Sequence, residues 1–184
     1  MKPHERPRID DLRALSDEQK AELIRDIENT AVYYEHNFYG CARCTFAALQ
    51  KHLGLGDNDT LKATFPFAGG GARHQELCGA VSGALMAIGV SLASGKMEWD
   101  FETPRFHLMM EQASRVMDGF KAEFGTLRCY EIGKLLHGRY WDFTDPSQLE
   151  ERLKPEVHQK CEGVVKVAVS LAAQVLLEPV DIVE

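Results

Sequence analysis

The chain has 184 residues, of which 45% are hydrophobic, enough to bury a core of its own as one domain. Its 21 Lys and Arg against 28 Asp and Glu leave a formal charge of -7, which repels phosphate backbones and excludes nucleic acid as an expected partner. The charged N-terminal stretch lacks the apolar run of a secretory signal, and the most apolar segment, 164–177, is interrupted by Lys166 and Gln174 and falls short of the ~20 residues of a membrane span. A cytoplasmic protein without a membrane span is expected.

Apolar residues recur at spacings of three and four with no sustained alternation, so the expected fold is all-α: a compact multi-helix bundle of about six to eight helices. Residues 1–15 read as an N-terminal extension and residues 16–184 as a single helical four-cysteine domain. Ser16 with Gln19 forms a capping-box start for a first helix that carries Leu23, Ile24, Ile27, Ala31 and Tyr34 and runs to about Phe38, where Gly40 breaks it. A second helix begins near Cys41 and stops at Gly54. Residues 61–67 predict a short helix ending at Pro66. The Gly69-Gly70-Gly71 run then predicts an extended loop before a helix from about Gln75 to Ala93. Thr103-Pro104 starts a helix closed by Gly125, and a short helix follows over 128–137. Asp145-Pro146 starts another over 147–153, and a last long helix is expected from Glu156 to about Leu177.

Five cysteines carry the chemistry: Cys41 and Cys44 in a Cys-x-x-Cys, then Cys78, Cys129 and Cys161, with the later three each on its own predicted helix. In a reducing compartment such thiols are catalytic, regulatory or metal-bound more often than stapled, and an odd number leaves one outside any simple pairing. The Cys-x-x-Cys falls on the first turn of a helix, where unpaired amides and the positive dipole end favour thiolate over thiol. Cysteine is also a small hydrophobe that packs well, the competing reading for any single one. His74 precedes Cys78 by four and His158 precedes Cys161 by three, so each pair could share a helical face and offer nitrogen and sulfur to zinc or iron; solvated surface histidines explain them as simply. The intervals between Cys44, Cys78, Cys129 and Cys161 match no zinc ribbon or ferredoxin spacing, so any metal site has to be assembled by the fold. Thr45 after Cys44 excludes the c-type haem attachment sequence; Met109, Met110 and His107 could serve as axial ligands, but Met at helical spacing reads first as core filler.

The segment from Gly69 through Cys78-Gly79-Ala80-Val81-Ser82-Gly83 to Gly89 resembles the signature of the C-GCAxxG-C-C family of putative redox-active proteins. Arg43-Cys44-Thr45-Phe46 is similar to that family's first cysteine helix, Phe124 to Cys129 to its third cysteine, and Cys161 to its last. The resemblance implies that Cys44, Cys78, Cys129 and Cys161 are the four family cysteines, with Cys41 an addition. It also implies redox activity: an iron–sulfur cluster on those four thiols serving electron transfer, or thiol/disulfide cycling with Cys41 or Cys44 attacking and its Cys-x-x-Cys neighbour or Cys78 resolving. The expected partner is an oxidoreductase or other electron donor or acceptor. A structural zinc or adaptor module that binds a partner oxidoreductase is the alternative, and a small-molecule enzyme using Arg73, His74 or Glu76 beside the glycine-rich loop has no reaction type in the spacing. The small residues of 78–89 would let a neighbouring helix approach closely, whether within the chain or across a homodimer.

Overall fold

In a computed structural model of the chain, residues 7–97 and 101–180 are described. Among them the structure is all-α. Five long helices make the body: α2 (Asp17–Phe38), α3 (Cys41–Leu53), α5 (Gly79–Leu92), α6 (Pro104–Phe124) and α10 (Lys160–Leu176). The shorter α1 (Ile9–Arg13), α4 (Asn58–Ala63), α7 (Cys129–His137), α8 (Pro146–Arg152) and α9 (Pro155–His158) lie along the connections.

The starts follow the residues that cap them. Ser16 and Gln19 form both halves of the capping box of α2, Thr103 accepts from the Phe106 N–H at the head of α6, and Asp145 accepts from the Ser147 and Gln148 N–H groups at the head of α8. Along α2, Ile27 and Ala31 are buried, and one turn further on so is Glu35, a carboxylate on the apolar stripe.

Helices α5 and α10 form the centre. Nine of the fourteen residues of α5 are buried, most of them small, and α3, α6 and α10 pack around it. Gly83 fixes how near α3 comes: a Cβ there would lie 2.3 Å from the Ala42 carbonyl oxygen and 3.1 Å from the Thr45 Cβ. Among the small residues of 78–89, Gly79 and Gly83 thus face α3 of the same chain. On the other side α10 packs against α2, α6 and α3, burying Val164, Val165, Ala168, Val169, Ala172 and Ala173. At the far end α1 is tied down by Arg13, whose Nε donates to the Leu176 carbonyl at 3.1 Å.

Three boundaries differ from expectation. Helix α5 begins at Gly79 and not near Gln75, because residues 69–73 and Gln75 all have positive φ. The segment expected as one helix over 61–67 is α4, capped earlier by Asp57, followed by a 3-10 turn at Phe65–Phe67 containing Pro66. The last helix is interrupted at Gln159, which separates α9 from α10. The helices are long and apolar in the wrong proportions for a bilayer: among the described residues none is both long and apolar enough to cross one.

Candidate functional site

Four helix N-termini meet at one end of the bundle, and each delivers a cysteine. Cys41 is the first residue of α3, Cys78 the N-cap of α5, Cys129 the first residue of α7 and Cys161 the second residue of α10. Together they line a cavity of about 40 Å³, with Gln75, Trp141 and Arg152 among the remaining walls. Cys78 is buried and the other three are half-buried.

The glycine-rich loop sets two of these positions. Its left-handed run brings the backbone back on itself, with Gln75 N–H donating to the Gly69 carbonyl at 2.9 Å and Glu76 N–H to the Gly70 carbonyl at 3.0 Å. The chain then pairs with the approach to α7: Cys78 N–H donates to the Leu127 carbonyl (2.8 Å), Cys129 N–H to Glu76 (2.7 Å) and Tyr130 N–H to Gln75 (3.0 Å). Leu77 and Arg128 form an antiparallel bridge between them. Cys78 and Cys129 are held as neighbours by backbone hydrogen bonds. Glycine is required where the turns are tightest, since a Cβ on Gly70 would sit 2.7 Å from the Gln75 Cα and 2.8 Å from the Cys129 Cβ. Gly79 does the same for Cys41, because a Cβ there would lie 2.5 Å from the Cys41 sulfur.

Every pair among Cys41, Cys78, Cys129 and Cys161 interacts electrostatically, each thiolate opposing formation of the others. Burial is the larger cause, and it pushes all four thiols above the ordinary range. Against this act the Gly69 amide toward Cys41, the Ala80 and Val81 amides toward Cys78, and Arg152 toward Cys129 and Cys161. Arg152 is itself buried, and its Nη2 donates to the Cys161 sulfur at 2.6 Å. Its Nη1 lies 3.5 Å from His158 Nδ1, and His158 Nε2 lies 2.9 Å from Glu35 Oε1. The His158 ring stacks on Tyr39 with centroids 3.7 Å apart. A buried polar chain, Glu35 to His158 to Arg152, thus ends on the Cys161 sulfur.

Cys44 is elsewhere. It lines a separate cleft with Tyr34, Phe38, Ala47 and Leu61, and its thiol donates to the Tyr39 carbonyl at 3.3 Å. Its pKa is raised by burial and then by Glu35. The structure therefore gathers Cys78, Cys129 and Cys161 as expected, but with Cys41 and not Cys44 as the fourth. The reason is the close approach of α3 to α5: Gly79 and Gly83 admit the Cys41, Ala42 and Thr45 side of α3, while Cys44, three residues on, turns toward the C-terminus of α2. The two histidines considered as co-ligands also part. His74 is exposed in the loop before α5 begins, and His158, separated from Cys161 by the break at Gln159, is turned to Glu35.

Glu35 and Arg152 were missed in the sequence. Glu35 had a signal, since it continues the Ile27 and Ala31 stripe by one turn; Arg152, in a run of charged residues before Pro155, had none.

Four thiols, helix N-terminal amides and one buried guanidinium surround the cavity, and thiolates are ligands of iron–sulfur clusters and of zinc alike. Among the described residues no three His, Cys, Asp or Glu side chains are set to hold one metal ion.

A helical bundle that closes four thiols over one cavity defines a class of cysteine-centred proteins, and the comparison of sequences agrees. A family model described as "Putative redox-active protein (C_GCAxxG_C_C)" matches residues 39–175, well over half of the chain, and the chain belongs to that family. No curated protein and no solved structure matches it.

Proposed function

We propose that the protein handles electrons through Cys41, Cys78, Cys129 and Cys161, and that these four thiols hold an iron–sulfur cluster for transfer to a partner oxidoreductase. The observation that carries this is the mutual opposition of four thiols brought to one cavity by four helix starts. Four such groups become thiolates together only around a positive centre, so binding releases their protons and the folded chain gains the energy. When bound, the cluster supplies one-electron chemistry. The protein's part is to exclude water with α5 and α10, to point the amides of Gly69, Ala80 and Val81 at sulfur, and to place the Arg152 guanidinium on Cys161.

Thiol/disulfide cycling is the second reading, favoured by one observation: the missing side chain at Gly79 leaves room for the Cys41 sulfur directly beside the backbone that carries Cys78. In that case Cys41 and Cys78 form one S–S bond, lose two protons and pass two electrons to the partner. Anaerobic purification and reconstitution, followed by iron and sulfide analysis and a visible spectrum, separate the two. Iron and sulfide in fixed ratio to protein support the cluster. A folded, colourless and iron-free protein after reconstitution rejects it, and mapping of oxidised thiols by mass spectrometry then tests the Cys41–Cys78 pair.

A further inference from the structure

Beside the thiol cavity lies a larger cleft of about 460 Å³, in the range of small-molecule sites. Cys41, Cys129 and Cys161 form one wall, and Tyr39, Phe65, Phe143, Leu149 and Leu153 supply apolar surface. Three arginines enter it from three separate segments: Arg43 from α3, Arg73 from the left-handed loop and Arg152 from α8. In a chain of net charge -7 such a concentration is against composition, and the one carboxylate among the lining residues, Glu35, is already 2.9 Å from His158.

The three are not equivalent. Arg43 donates to the Tyr39 carbonyl at 2.7 Å and lies over the Phe65 ring, and Arg152 is buried against Cys161. Arg73 is exposed and has no carboxylate partner among the described residues; Glu76, its near neighbour in sequence, is paired with Arg128 at 2.9 Å. Its backbone is held at φ 70, and Ala72 before it at φ 44, conformations that cost non-glycine residues energy and persist where surrounding contacts impose them. That strained backbone places a free guanidinium beside an apolar cleft that ends on thiols.

We propose that the cleft binds a small organic anion, its apolar body against Tyr39, Phe65 and Phe143 and its oxoanion head on Arg73, with Arg43 and Arg152 adding to the positive field. Such an anion is the redox substrate only if the function proposed above holds; it binds whether or not the thiols turn over. Carboxylate, sulfonate and phosphate share the chemistry that arginine recognises.

The test is an amide-shift titration of the full chain by nuclear magnetic resonance with 2-naphthoate, naphthalene-2-sulfonate and 2-naphthyl phosphate, against the neutral 2-naphthamide. None of the four is redox-active, so the result is independent of the fate of the cluster. The expected result is shifts at Tyr39, Gly69, Arg73 and Cys129, and affinity about tenfold higher for at least one anion than for the amide at low salt. The three anions rank the head groups. Arg73→Gln is expected to remove most of that preference and leave the binding of 2-naphthamide unchanged. Equal affinity for charged and neutral probes, shifts mapping away from the cleft, no binding of any probe, or an undiminished preference in Arg73→Gln overturns the proposal.

Discussion

The closeness of α3 to α5 is the joint on which the cysteine site depends, and alanine substitutions at glycines of one helix measure it. In α5 a Cβ at Gly83 would meet the Ala42 carbonyl oxygen at 2.3 Å and the Thr45 Cβ at 3.1 Å, whereas a Cβ at Gly89 would have nothing within 4 Å. Both substitutions gain the same intrinsic helix preference, about 1 kcal/mol in favour of Ala. Their difference therefore isolates the steric penalty. The obstructing atom at Gly83 is backbone in a second helix and cannot rotate away, so α3 must shift, at the cost of ordinary overpacking, about 2 kcal/mol. Gly89→Ala is then expected to be stabilised by up to about 1 kcal/mol and Gly83→Ala destabilised by about 1 kcal/mol. In urea, with a slope of about 2 kcal/mol per molar, the two midpoints should stand about 1 M apart. Equal midpoints, or Gly83→Ala the more stable of the two, would mean that α3 does not approach α5 as described, and the placement of Cys41 beside Cys78 would fall with it.

Cys41→Ser is expected to abolish iron loading on anaerobic reconstitution while Cys44→Ser retains it, read by iron and sulfide content per chain; the reverse result would restore Cys44 to the quartet. Arg152→Met removes the donor to Cys161 and leaves His158 without that neighbour, so a loss of about 2 kcal/mol is expected in urea denaturation, with part recovered in Arg152→Lys. His137, packed edge-on to Trp141, has its pKa lowered to about 4 by burial and by the nearby Arg152 and Lys160. The unfolded chain therefore binds the extra proton first, at its ordinary value of about 6.5, so the contribution is complete above that pH and is lost as pH falls toward 4. His137→Gln should flatten the dependence of the urea midpoint on pH across that window; an unchanged slope would contradict the assignment. Alkylation of Cys41, Cys78 and Cys129 by iodoacetamide, followed by mass spectrometry, should remain slow at neutral pH and rise only above the ordinary thiol range, because burial holds them protonated. Rapid neutral-pH labelling of Cys78 would refute this.

Local signals wrote most of the helical frame. Ser16, Thr103 and Asp145 are caps whose side chains satisfy amides within three residues, and such interactions can be read without knowing the fold. The convergence of cysteines was also legible, since several fall at helix starts. The choice between Cys41 and Cys44 was not. Both occupy the first turn of α3, and only the contact of that helix with Gly79 and Gly83 decides which sulfur faces Cys78. The loop before α5 failed for a related reason: Ala72, Arg73 and Gln75 carry no preference for positive φ, and the pairing of Gln75 and Glu76 with the backbone at Tyr130 and Cys129 imposes it. Glu35 was visible as a charge on an apolar face, but its partner His158 lies more than a hundred residues away in sequence.

Cys41 heads the second long helix and Cys161 the last, so the quartet spans most of the chain. Nothing shorter than the stretch from α3 into α10 can complete it. A chain that stops before α10 brings only three of the four thiols to the cavity and leaves that wall open, so the pocket exists only once helices distant in sequence have docked.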